Sequence, residues 1–143
     1  MTSAGSEALA NLARIGKLKE EAPDARERAG LLHSATVRLQ DAQQTILSLE
    51  SRFDLAYNAA HAAALSALRM RGYRSENRYL VFQCLEHTLG FAPRQWLLLD
   101  QAHKKRNLAE YEGDLDVTAG FVEELISLVA SLLAAAKAHD PPV

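Results

Sequence analysis

The chain has 143 residues, 48% of them hydrophobic and 24% charged, a size and composition that suit one globular domain and argue against a disordered chain, a disulfide scaffold or a two-domain enzyme. Its 16 Lys and Arg against 18 Asp and Glu leave a net charge of −2, so affinity for a polyanion has to be local rather than a property of the whole surface. The lone cysteine, Cys84, and an N-terminus without a basic-then-apolar leader pattern predict a cytoplasmic protein with no intrachain disulfide.

Only 7 Gly and 4 Pro punctuate long Ala/Leu/Glu/Arg runs, which predicts an all-α protein. Ser6 to Glu20 reads as a short peripheral helix carrying Leu9, Leu12 and Ile15, stopped by Ala22-Pro23. Asp24 is placed to cap a longer helix with Leu32, Ala35, Leu39, Ala42, Ile46 and Leu49 on one stripe. Ser48 or Ser51 caps the next, whose face Phe53, Tyr57, Ala60, Ala64 and Leu68 runs to a stop at Gly72. After a turn over residues 72–77, a compact fourth helix with Tyr79, Phe82, Leu85 and Leu89 ends near Gly90. Pro93 opens a fifth, apolar at Trp96, Leu97 and Leu99 and polar from Asp100 to about Tyr111. Asp116 or Thr118 caps the last, which bears two stripes: Val117, Phe121, Leu125, Leu128 and Leu132, and Val122, Ile126, Val129 and Leu133.

Short connections make these pieces an antiparallel, up-and-down bundle of five or six helices in a single domain, with residues 24–137 as its core and residues 1–23 peripheral. The two stripes on the last helix call for burial on two sides, by the bundle and by a second subunit, hence a homodimer. A membrane span over Phe121–Ala138 is disfavoured by Glu123, Glu124 and Lys137. Cys84 with His87, and Asp100 with His103, are one-turn pairs without a second half. No metal or cofactor is expected, and no nucleotide-binding loop or nucleophile elbow occurs.

Two polar features stand out. Asp54, Asn58 and His61 form a stripe that is either the wet side of its helix or, if it meets the polar half of the fifth helix, the wall of a cleft. Arg69, Arg71, Arg74 and Arg78 surround the turn after the third helix, while Lys104, Lys105 and Arg106 lie late on the fifth. Legs of about 20 Å out and back predict that the clusters meet at one bundle end. Such a patch either contacts phosphates or neutralises helix C-termini.

The segments Ser51-Arg52-Phe53-Asp54-Leu55-Ala56-Tyr57-Asn58-Ala59-Ala60-His61, Leu68-Arg69-Met70-Arg71-Gly72-Tyr73-Arg74 and Lys105-Arg106-Asn107-Leu108-Ala109-Glu110-Tyr111-Glu112 resemble the HEPN superfamily of small helical bundles. Many of its members are dimeric ribonucleases or partners of nucleotidyltransferases in toxin–antitoxin modules. The resemblance implies a site at Arg106 and Asn107, with a nucleotidyltransferase-type protein, RNA or a nucleotide as partner. Where the family's ribonuclease motif has His, this chain has Tyr111, a phenol that is a poor proton shuttle at neutral pH; His103, upstream, is the alternative imidazole. The resulting expectation is a degenerate motif that binds without efficient cleavage. An active metal-independent ribonuclease toxin, using Arg106 with His103 or Tyr111, and a purely structural dimerisation bundle stand as alternatives.

Overall fold

The computed structural model describes residues 4–138 and is a helical bundle with one small two-stranded antiparallel sheet. Its elements are α1 (Ala4–Arg14), β1 (Lys19–Glu20), α2 (Ala25–Ala42), α3 (Leu49–Met70), β2 (Tyr73–Arg74), α4 (Arg78–Gln83), α5 (Leu85–Thr88), α6 (Pro93–Glu112) and α7 (Ala119–Ala138). The start signals act as expected. The Asp24 carboxylate accepts from the Arg26 and Glu27 amides at 2.9 and 3.3 Å, Ser48 Oγ from the Ser51 amide at 3.1 Å, and Thr118 Oγ1 from the Phe121 amide at 3.0 Å. Gly113, at φ 74°, closes α6 in the left-handed conformation that a side chain would strain.

Three boundaries differ from the sequence reading, each for a physical reason. The first helix ends at Arg14 rather than Glu20, because Lys19 and Glu20 pair antiparallel with Arg74 and Tyr73, so part of the expected turn over 72–77 is a strand. The second ends at Ala42, and Ile46, 91% exposed, lies in the connection rather than on the stripe. Arg52 Nε donates to the Ala42 carbonyl at 2.8 Å, satisfying an acceptor that further helix would have used. The fourth helix is broken at Cys84 into α4 and α5, so its two legs do not form one straight rod.

α3 is the axis of the fold. Ala56, Ala59, Ala60, Ala63, Ala64 and Ala67 line it and are buried, which allows α2, α4, α5, α6 and α7 to approach its backbone from several sides. α7 has the length and apolar composition of a membrane-spanning helix, yet Val122, Leu125, Ile126, Val129, Leu132 and Leu133 are spent on packing against α2 and α3. Most of both stripes is thus covered within the chain, while Val117, Phe121 and Leu128 stay half-buried. α1 is tied down by fully buried Leu9 and by Gly5, whose missing side chain lets the helix lie against the His87 carbonyl.

Arg69, Arg71 and Arg74 do not join Lys104, Lys105 and Arg106. Arg69 is 2% exposed and pairs with Glu27 and, at 3.3 Å, with Glu21. It also donates to the carbonyls of Glu21 and Ala22 at 2.8 and 2.7 Å. Arg74 pairs with the same two carboxylates, and Arg71 donates to the Thr88 carbonyl at 3.3 Å. The Arg69 and Arg74 hydrogen bonds hold the Glu27 carboxyl below its ordinary range despite the opposing cost of burial. These cations fasten the β1–β2 sheet and α5 to the bundle, which corrects the single basic end expected from path length. α6 passes α3 near Tyr57, twelve residues or about 18 Å of helix away from Arg69.

The two arginines make contrasting predictions for stability. Arg69→Ala strips a partner from three carbonyls, those of Glu21, Ala22 and Tyr73, and from two carboxylates around a buried cation, and is expected to cost about 3 kcal/mol or more. Arg74→Ala, at a partly exposed pair, is expected to cost under about 1 kcal/mol. Urea denaturation of both variants checks the difference.

Candidate functional site

The side chains that carry chemistry converge where α3, α4 and α6 meet. Tyr57 is buried in the middle of α3, and its ring has two guanidinium neighbours, Arg78 from the start of α4 at 5.5 Å and Arg106 from α6 at 5.1 Å. Tyr57 Oη lies 2.9 Å from His103 Nδ1, and His103 Nε2 lies 3.1 Å from the Asn107 side-chain nitrogen, one turn further along α6. Asn58 Oδ1 accepts from Arg78 at 3.1 Å, and Arg106 pairs with Glu110 at 3.3 Å.

The Asp54-Asn58-His61 stripe does face the polar half of α6 and its surroundings. Asn58 reaches Arg78, and Asp54 shares a depression of about 260 Å³ with Arg106, Glu110, Glu50, Phe53, Ala109 and Leu115. His61 is set edge-on to Phe82, with its Nε2 buried and without a partner among the described residues.

Burial decides the protonation of this cluster. It raises the Tyr57 phenol above its ordinary value against the pull of both arginines, so the group stays an O–H donor at neutral pH. Burial likewise lowers His103, helped by Arg106 and Arg78 and opposed by Asp100 and Glu110. His61 is pushed down to about 4 by burial first, then by Arg78, Arg106 and His103. Both imidazoles are therefore neutral at pH 7, and the positive charge in the site comes from the arginines, with the carboxylates of Glu50, Asp54 and Glu110 close to Arg106.

The remaining expected residues lie apart from this centre. Tyr111 is 89% exposed near the end of α6, where the turn of the helix carries it away from Tyr57. Lys104 pairs with Asp100 at 3.1 Å, and Lys105 donates to the Asp116 carbonyl at 3.0 Å while its ammonium sits over the Phe121 ring at 5.2 Å. Arg69, Arg71 and Arg74 are held at the β1–β2 sheet and at α5, as described above. Cys84 is in the core, where burial pushes its thiol up to about 11, and among the described residues no three His, Cys, Asp or Glu side chains converge as a metal site.

Tyr57 is the centre that periodicity alone concealed, since it occupies a regular position on an apolar stripe. Its hydroxyl is the signal that distinguishes it from Phe53: a buried phenol needs a hydrogen-bond partner, and the polar half of α6 is the nearest supply.

The His61 shift sets a pH dependence. The unfolded chain takes up a proton near the ordinary value of 6.5 and the folded chain only at about 4, so the stabilising difference is complete above 6.5 and is lost as pH falls through that window. The shift corresponds to at most roughly 3 kcal/mol. Thermal unfolding between about pH 7 and pH 4 is expected to show a smaller decline for His61→Phe than for the wild type.

No family model matches the chain, and neither does any curated protein or solved structure. The functional reading therefore stands on the site itself.

Proposed function

We propose that the protein binds the phosphates of RNA or of a nucleotide at the Arg78–Arg106 pair and does not cleave them efficiently, as a HEPN-like bundle with a degenerate ribonuclease motif. The observation that carries this reading is the convergence of two guanidinium groups from different helices on one ring, with Arg78 in none of the ion pairs among the described residues. Both cations are brought to the same buried ring from different helices, so an anion seated beside that ring is attracted by each of them. Planar guanidinium groups suit phosphate oxygens through paired hydrogen bonds.

The same geometry supports binding over turnover. Cleavage of a phosphodiester by its own 2′-hydroxyl needs one group to take that proton and another to supply one to the leaving oxygen. The Tyr57 hydroxyl occupies Nδ1 of His103, the Asn107 amide covers Nε2, and Tyr111 stands in solvent. Arg106 alone can stabilise charge on a phosphorane but transfers no proton.

Self-association belongs to this proposal through α6, not α7. Leu97, Leu108 and Tyr111 are exposed at helical spacing on one face of α6, a surface that a second copy of the chain or a nucleotidyltransferase-type partner would cover.

Binding of a labelled single-stranded RNA, measured by anisotropy across a salt series, tests the reading. Arg78→Gln and Arg106→Gln are each expected to weaken binding and to flatten the salt slope by about 0.7, one phosphate's worth. Arg74→Gln, whose cation is spent on Glu21 and Glu27, is expected to leave both unchanged. Absence of salt-dependent binding overturns the proposal. Robust metal-independent cleavage that Arg106→Ala abolishes replaces it with the ribonuclease reading.

A further inference from the structure

We propose that the aromatic surface beside the arginine pair stacks an unpaired nucleobase, so that the ligand is a base-bearing phosphate and not a bare anion or a paired duplex. The inference rests on the phosphate-binding reading of Arg78 and Arg106 and adds what those phosphates are attached to.

A row of rings leads out from the arginine pair. Tyr57 stacks on His103 with centroids 6.3 Å apart and planes at 17 to 21° to its ring neighbours Phe53 and His103. His103 lies 6.2 Å from Tyr79, and Tyr79 lies 6.4 Å from Trp96, edge to face at 79°. The row thus joins the buried ring under the two guanidinium groups to Tyr79, which follows Arg78 directly in the chain and is 37% exposed.

Tyr79 differs from a stray surface aromatic in how it is held. Trp96 and His103 contact its ring, and its hydroxyl accepts from Gln83 Nε2 at 3.1 Å. Its rotamer is therefore set before any ligand arrives, and little side-chain entropy remains to be lost on binding. A residue on the apolar face of a short amphipathic helix would ordinarily turn inward, as Phe82 and Leu85 do. Tyr79 instead keeps over a third of its surface in water, beside the cation that would hold the phosphate. Single-stranded nucleic acid is recognised in this way elsewhere: cations follow the backbone while aromatic rings stack bases that a duplex would keep paired.

A free nucleotide and a single strand share this chemistry, and the test separates them. Trp96 is the only tryptophan in the chain and touches Tyr79, so its fluorescence reports on the platform without a label. Three probes are titrated: a single-stranded oligoadenylate, an abasic sugar-phosphate chain of the same length, and adenosine monophosphate.

The oligoadenylate is expected to bind about ten-fold or more tighter than the abasic chain, the usual worth of one stacked base, and to change Trp96 emission where the abasic chain does not. Tyr79→Ala is expected to remove the difference while leaving the abasic chain's affinity as it was, and Tyr79→Phe to retain it. Adenosine monophosphate binding as tightly as the oligomer assigns the site to a free nucleotide, and weaker binding assigns it to a strand. Equal, salt-dependent binding of both chains to the wild type, with no effect of Tyr79→Ala, overturns the stacking proposal and leaves phosphate binding intact. Failure of all three probes to bind overturns the phosphate-binding reading itself. The comparison of the two chains on the wild type needs no variant, so it holds even if Tyr79→Ala folds poorly.

Discussion

Burying α3 on several sides at once is the constraint from which the rest of the arrangement follows. A helix in that position can carry polar side chains only if each finds a partner inside the protein, because an unpaired buried polar group costs about 1 to 3 kcal/mol. α3 carries Arg52, Tyr57, Ser66 and Arg69 among its buried residues. Ser66 is satisfied locally by the Ala63 carbonyl at 2.7 Å. The other three recruit different neighbours. Arg52 takes the Ala42 carbonyl at the end of α2 and Glu123 of α7, at 2.8 Å each. Arg69 takes the Glu21 and Ala22 carbonyls and the Glu27 carboxylate. Tyr57 takes His103 of α6. Polar pairing thus sets which part of each surrounding element meets α3, while alanine sets how closely.

Structure and candidate function separate along the same helix. The arginines at its two ends, Arg52 and Arg69, are consumed by backbone carbonyls and carboxylates, and their positive charge is offset within the chain. In the middle, Tyr57 draws in Arg78 and Arg106 as well as His103, and only Arg106 has a carboxylate beside it, at the exposed Glu110. A guanidinium packed against carbonyl oxygens is a fastener; one packed on an aromatic face keeps its in-plane hydrogen-bond donors for something else. By that criterion Arg78 and Arg106 remain available, whereas Arg69 and Arg74 do not.

Neutral imidazoles complete the contrast. Burial holds His61 and His103 uncharged beside two permanent cations, because a third and fourth positive charge in the same volume would be costly. The cluster therefore keeps a stable charge near neutral pH and gains protons only in acid. This behaviour suits an anion-binding surface, and it leaves proton transfer to groups that are already hydrogen-bonded to one another.

Local signals in the chain determined the helical class, the starts at Asp24, Ser48 and Thr118, and the stop at Gly113, since caps and left-handed glycines act over three or four residues. They also determined that α3 would need neighbours, since its alanines have no other use. Three things depended on groups far apart in sequence. Lys19-Glu20 become a strand only because Tyr73-Arg74 come alongside, and Ile46 leaves its stripe because Arg52 takes the Ala42 carbonyl. The basic residues divide because guanidinium groups go to the nearest unsatisfied acceptors in three dimensions, not to their neighbours in sequence. Arg69 and Arg74 meet Glu21 and Glu27 beside the β1–β2 sheet, and Arg78 and Arg106 both come to the ring of Tyr57. Charge and helical period are properties of the chain itself, whereas the partner of each charge is set by long-range packing, and only the tertiary structure decided it.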